Sequence, residues 1–139
     1  MRRRPLLTAA TAAVLFLAAP AGGAVTSTTM RLAIAHVVSH CHVWKTSTKL
    51  LGPSTRITVK RGTRVVIRSD CPMDFDFAQT KGPPLVLGDP RTYAGSSRTI
   101  TFRKAGVYRL TATNVQTPDE RGLVTLGPTN TLTLTVVVK

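Results

Sequence analysis

All three histidines of this 139-residue chain fall within seven residues, in His36-Val37-Val38-Ser39-His40-Cys41-His42, and the second of its two cysteines has a thioether close by, in Cys71-Pro72-Met73. Imidazoles, thiolates and thioethers are the donors that soft and borderline metal ions take. On an extended segment His40 and His42 point to one face and Cys41 to the other, so imidazoles at i and i+2 can both reach one ion. His36, Cys41, Cys71 and Met73 are further candidate ligands. The same residues also read as structure, with His40 and His42 solvated at a sheet edge, Trp44 in the core and Met73 filling a gap.

Cys41 and Cys71 carry a second expectation. Two cysteines in an oxidising compartment most often form a disulfide, and closing a loop of about 30 residues stabilises a fold by roughly 3 to 4 kcal/mol in the chain-entropy account. A bridge and a thiolate ligand exclude each other, and thiol redox chemistry is a third use. Other chemistry is thinly represented. Asp70, Asp74 and Asp76 crowd one segment but lack the oxygen donors and turn glycine of a calcium loop, and read as solvated acids facing nearby arginines. Ser96-Ser97 has no glycine-flanked elbow, and no phosphate loop or dinucleotide fingerprint is present. The expectation is a protein that is not an enzyme.

The elements that must position these residues have a period of two. Arg56-Ile57-Thr58-Val59-Lys60 and Arg64-Val65-Val66-Ile67-Arg68 flank Arg61-Gly62-Thr63, which predicts a hairpin. Thr99 to Arg103 and Val107 to Ala112 flank Lys104-Ala105-Gly106 and predict a second. In Thr131 to Val138 the residues Leu132, Leu134, Val136 and Val138 share one face of a final core strand, while Leu32 to Val38 and His40 to Trp44 supply one or two N-terminal strands. Threonine, valine and isoleucine dominate throughout, and no window favours a helix. Asp70 to Ser97 and Asn114 to Asn130, rich in proline and glycine, read as long loops with room for a short strand in each. About seven antiparallel strands then pack as a β-sandwich.

The N-terminus belongs to another category. Arg2-Arg3-Arg4, an apolar run from Leu6 to Ala19 and the small residues Ala19-Pro20-Ala21 or Gly22-Gly23-Ala24 read as a secretory signal peptide over residues 1–24, leaving a single domain over 25–139 with no membrane span. The whole chain carries 19 Lys and Arg against 6 Asp and Glu, and losing the three leading arginines leaves it strongly basic. Arg56, Lys60, Arg64 and Arg68 occupy the outward side of the first expected hairpin and make a cationic face. Such a face attracts anionic envelope polymers or an acidic protein partner with a strength that falls with salt, or serves simply to solubilise. Export and few aromatics for base stacking argue against nucleic acid as the partner.

The order of these pieces resembles a known family. Ile57-Thr58-Val59-Lys60-Arg61-Gly62-Thr63, a strand ending near Asp70, a long loop, Ile100 to Tyr108 and a terminal Leu132-Thr133-Leu134-Thr135-Val136 are similar to small secreted bacterial cupredoxin-like proteins over about residues 38 to 138. The resemblance implies an all-β, Greek-key antiparallel sandwich and copper as the cofactor. It also implies a first histidine after the strand ending near Asp70, and a cysteine, histidine and methionine between the last two strands. Here Cys71-Pro72-Met73 follows Asp70 without a histidine, and Thr113 to Thr131 contains no Cys, His or Met, so the type 1 ligand set is missing. The leading expectation is therefore binding or transfer of copper or another soft metal through a displaced site. The alternative is a metal-free binding module that uses its basic face and long loops.

Overall fold

A computed structural model describes residues 28–38, 40–115 and 130–139, with His40 and Cys41 described by backbone alone. The expected signal peptide lies outside the described residues. Among the described residues ten strands are present: β1 Thr29–Val37, β2 His40–Lys45, β3 Leu50–Gly52, β4 Ser54–Val59, β5 Arg64–Ser69, β6 Asp74–Lys81, β7 Arg91–Thr92, β8 Ser97–Thr101, β9 Gly106–Val115 and β10 Thr131–Val138. They form two five-stranded sheets, ordered β3-β2-β1-β5-β8 and β4-β10-β9-β6-β7. The architecture is the expected β-sandwich, with more strands than expected and with β1–β5 and β4–β10 paired in parallel.

Both expected hairpins are instead arches. β4 lies in one sheet and β5 in the other, and β8 and β9 are divided in the same way. Each strand has one apolar face, and the two members of an arch turn those faces toward one another: Ile57 and Val59 on β4, Val65 and Ile67 on β5 are all buried. Across the first arch the amides of Arg61 and Gly62 donate to the carbonyls of Lys139 and Phe102, 2.9 and 2.7 Å away, so the connection is held by its surroundings and not by a two-stranded ladder. The second arch is closed by Tyr108, which packs edge-on against Phe102 with ring centroids 5.0 Å apart and donates its hydroxyl to the Lys104 carbonyl at 2.7 Å.

The segment Asp70 to Ser97 is also more ordered than a long loop. Asp74 to Lys81 forms β6, an eight-residue strand paired with β9 along most of its length, with Phe75 and Phe77 buried between the sheets. Alternation in Asp74-Phe75-Asp76-Phe77 is the signal for it. The two phenylalanines make the inner face and the two aspartates the outer. Of the second long connection, residues 116–129 lie outside the described residues.

The core runs the length of the sandwich and includes Leu132, Leu134, Val136 and Val138 from β10, as the alternation requires. Trp44 is completely buried and its indole N–H donates to the Thr133 carbonyl at 3.1 Å, a hydrogen bond from one sheet to the other.

The acids face basic partners. Asp70 accepts from Lys45 Nζ at 3.0 Å and Arg68 Nε at 2.8 Å, and Asp76 is held by the fork of Arg91 at 2.9 and 3.0 Å. Hydrogen bonding by Lys45 lowers the pKa of Asp70 and hydrogen bonding by Arg91 lowers that of Asp76, in each case against a smaller opposing desolvation. A carboxyl group with a lowered folded-state pKa contributes stability that is complete above the unfolded value, about 4, and is lost as pH falls through the folded value. Thermal melts between about pH 2 and 6 should therefore fall less steeply on the acid side for Asp70→Asn/Asp76→Asn than for wild type. Parallel curves would remove these pairs from the acid response.

Candidate functional site

One end of the sandwich departs from the apolar rule. On β1 the core-facing series Leu32, Ile34 continues to His36, and on β2 Trp44 has His42 two residues before it. On β5 Val65 and Ile67 continue to Ser69, and on β9 Leu110 and Ala112 continue to Asn114. Register brings the four positions to the same end. β1 pairs antiparallel with β2 around Ile34↔Trp44, it pairs parallel with β5 so that Ile34 matches Ser69, and Asn114 lies opposite Phe75 near the start of β6. His42, Ser69 and Asn114 are buried, whereas His36 is exposed at the rim.

The side chains touch in a chain. The His36 and His42 rings meet edge to face with centroids 5.9 Å apart, and His42 meets Phe75 at 5.1 Å and 88°. Asn114 Nδ2 donates to Met73 Sδ at 2.7 Å. Ser69 Oγ donates to the Met73 carbonyl at 3.1 Å and lies 3.4 Å from Cys71 Sγ. Asn114 Oδ1 is buried and accepts no hydrogen bond among the described residues. A polar atom in that state costs free energy, on the order of 1 to 3 kcal/mol, that a folding scaffold alone has no reason to retain.

Of the residues expected to form a site, the structure brings His36 and His42 together, and it brings Cys71 and Met73 together on the β5–β6 connection. The side chains of His40 and Cys41 lie outside the described residues. His42 is not solvated at an edge: alternation along β2 turns it inward with Trp44, and it is buried. Cys71 is a buried free thiol in the structure, its sulfur close to Ser69 Oγ and the Met73 carbonyl, and the side chain of the other half of the expected bridge, Cys41, lies outside the described residues. Ser69 and Asn114 were not among the expected site residues. Both stand in the apolar phase of their strands, which is the signal that marks them in the sequence.

The expected basic face is divided. Arg56 and Lys60 belong to β4 and its end, at the edge of one sheet, and Arg64 and Arg68 to β5, inside the other, so the four side chains lie on opposite surfaces of the sandwich. The arch between β4 and β5 is the physical reason.

The trigonal ligand set of a type 1 copper centre does not fit this end. Among the described residues no three His, Cys, Asp or Glu side chains stand close enough to hold one metal. His36 and His42 are the two imidazoles whose rings are brought together there, with centroids 5.9 Å apart.

No family model and no curated protein matches the sequence. Solved structures similar to the chain include amicyanins. A reduced amicyanin mutant shares 18% identity over 80% of this chain and 82% of its own, with a TM-score of 0.44. The reduced Cu(I) form of a proline-to-glycine mutant at pH 4 shares 19% over 84% and 87%, with a TM-score of 0.45. The described residues form an all-β sandwich of two five-stranded sheets. Among the described residues no helix is long and apolar enough to cross a membrane.

Proposed function

We propose that the protein is exported, is not an enzyme, and binds or passes on copper or another soft metal at the polar end of its sandwich, through a site that is not of type 1. The observation that carries this reading is the convergence of buried His42, Ser69 and Asn114 at one end of their strands, with His36 exposed at the rim beside them. Two further features support it. Cys71 and Met73 place soft donors on the same end, and the backbone of His40 pairs with Val37 next to His36. Borderline imidazole with soft thiol and thioether suits Cu(I), whereas imidazoles completed by water suit Cu(II).

The test is metal titration of the exported protein, whose intact mass also reports whether residues 1–24 have been removed. Cu(II) should bind without an intense blue absorption, and reduced protein should favour Cu(I). His36→Ala/His40→Ala should weaken binding by about tenfold or more, the loss of one to two imidazole ligands. His42→Gln, which keeps a polar side chain at a buried position, should do the same while melting as a folded protein. Unchanged affinity in all variants, or strong blue colour, would place the metal elsewhere. A mass deficit of about 2 Da on native protein would show a Cys41–Cys71 bridge and take both sulfurs out of the ligand set.

A second reading, a metal-free module that holds anionic envelope polymers, is favoured by one specific observation: Arg31, Lys45, Arg64 and Arg68 share the outer surface of the sheet containing β1 and β5.

A further inference from the structure

The geometry points to a particular binding site for an anionic glycopolymer on that outer surface, centred on Ala33 and Val66; this inference rests on the second reading and is independent of the metal. In the register of the sheet Ala33 stands between Lys45 on β2 and Arg68 on β5, and Arg31 stands beside Val66. Two short side chains surrounded by three long basic ones leave a depression of about 320 Å³, with Ser47 and Ser97 on its rim. Arg64 extends the cationic line along β5.

The electrostatics are directional. Asp70 is the one acid lining the depression, and it is already paired: Lys45 and Arg68 each give it one contact, which holds their heads at Asp70 and leaves further N–H donors on both. Among the described residues Arg31 and Arg64 have no ion pair. The opposite outer surface differs. It carries Arg56 and Arg109 among rows of threonine, and Asp76 there is neutralised by Arg91.

Guanidinium forks recognise phosphate and carboxylate alike, the rim hydroxyls suit a polyol, and a shallow floor of methyl groups accepts the carbon face of a sugar. A linear polymer that alternates an anion with a sugar or polyol supplies all three. Nucleic acid fits less well, since among the described residues no aromatic side chain on which a base could stack lines the depression.

The test compares two variants with the same change in net charge. Protein lacking residues 1–24 is titrated against poly(glycerol phosphate), polygalacturonate, inorganic polyphosphate and a single-stranded DNA oligomer, at low salt and at about 0.15 M salt. Arg31→Glu/Arg64→Glu should weaken binding of the two glycopolymers about tenfold or more, and Arg56→Glu/Lys60→Glu less than about threefold, since none of the four breaks an ion pair. Ala33→Leu, which fills the depression without changing charge, should weaken the glycopolymers about threefold and leave inorganic polyphosphate unaffected. The better of the two glycopolymers identifies the anion as phosphate or carboxylate. Equal losses in the two charge variants would overturn the site while keeping the second reading, with net charge as its basis. DNA binding more tightly than either glycopolymer would overturn the occupant. Absence of salt-sensitive binding by the wild type would remove the second reading itself.

Discussion

Trp44→Ala should lower the unfolding free energy by about 3 to 5 kcal/mol, the cost of removing a large aromatic side chain from a close-packed core. Trp44 is fully buried, packs edge-on to Phe77 across the sandwich at 6.4 Å, and gives its indole N–H to Thr133 on the facing sheet. Its deletion therefore opens a cavity and also takes the indole donor from the half-buried Thr133 carbonyl. Trp44→Phe separates these effects: most of the ring remains, the donor is gone, and the cost should be about 1 to 2 kcal/mol. Against a total stability of about 5 to 15 kcal/mol for a domain of this kind, the alanine variant stands at the edge of unfolding at growth temperature. Urea or thermal unfolding measures both. A loss below about 1 kcal/mol for Trp44→Ala would mean that the two sheets do not depend on this contact.

Gly82→Ala should be nearly as damaging although it adds a single methyl group. Gly82 ends β6 at φ +106°, outside the range comfortable for an L-residue, and a Cβ there would lie 2.6 Å from the Val107 carbonyl oxygen and 2.9 Å from the Tyr108 Cα. Both atoms are backbone in β9, so neither can swing aside. Dihedral strain of about 1 to 3 kcal/mol and a comparable term for overpacking together predict a loss of about 3 kcal/mol or more. Gly52→Ala is the control. It also has a positive φ, +84°, but nothing lies within 4 Å of the added carbon, so it should cost only about 1 to 2 kcal/mol. If the two variants melt together, close approach of the chain to β9 is not what requires glycine at position 82.

The candidate site was legible in its residue types and obscure in its geometry. His36, His42, Cys71 and Met73 stand out because few other side chains in the chain can bind a metal. Their assembly depends on contacts between residues as distant as Met73 and Asn114, and on a register in β1 and β2 that shifts between Ala35 and Val37. Asn114 is instructive. It continues the buried phase of Tyr108, Leu110 and Ala112, and a polar residue in an apolar phase is a local clue to a site, but only the fold shows that His36, His42 and Ser69 break phase at the same end.

By itself the sequence determined that the domain is built of strands, and which face of each strand is buried. Leu132, Leu134, Val136 and Val138 on β10, and Ile57, Val59, Val65 and Ile67 on β4 and β5, are buried as their alternation demands. That information is local, because side chains two residues apart share a face whatever the strand pairs with. Tertiary structure alone decided the pairing. Backbone edges are chemically alike, so alternation does not say whether two strands joined by a short connection lie side by side or face to face, and the chain chose arches at Gly62 and Gly106 where hairpins were expected. From that choice follow the separation of Arg56 and Lys60 from Arg64 and Arg68, and the gathering of Arg31 and Lys45 with the latter pair. Both candidate sites are consequences of how the faces docked, a matter of packing between distant segments that no window of the sequence contains.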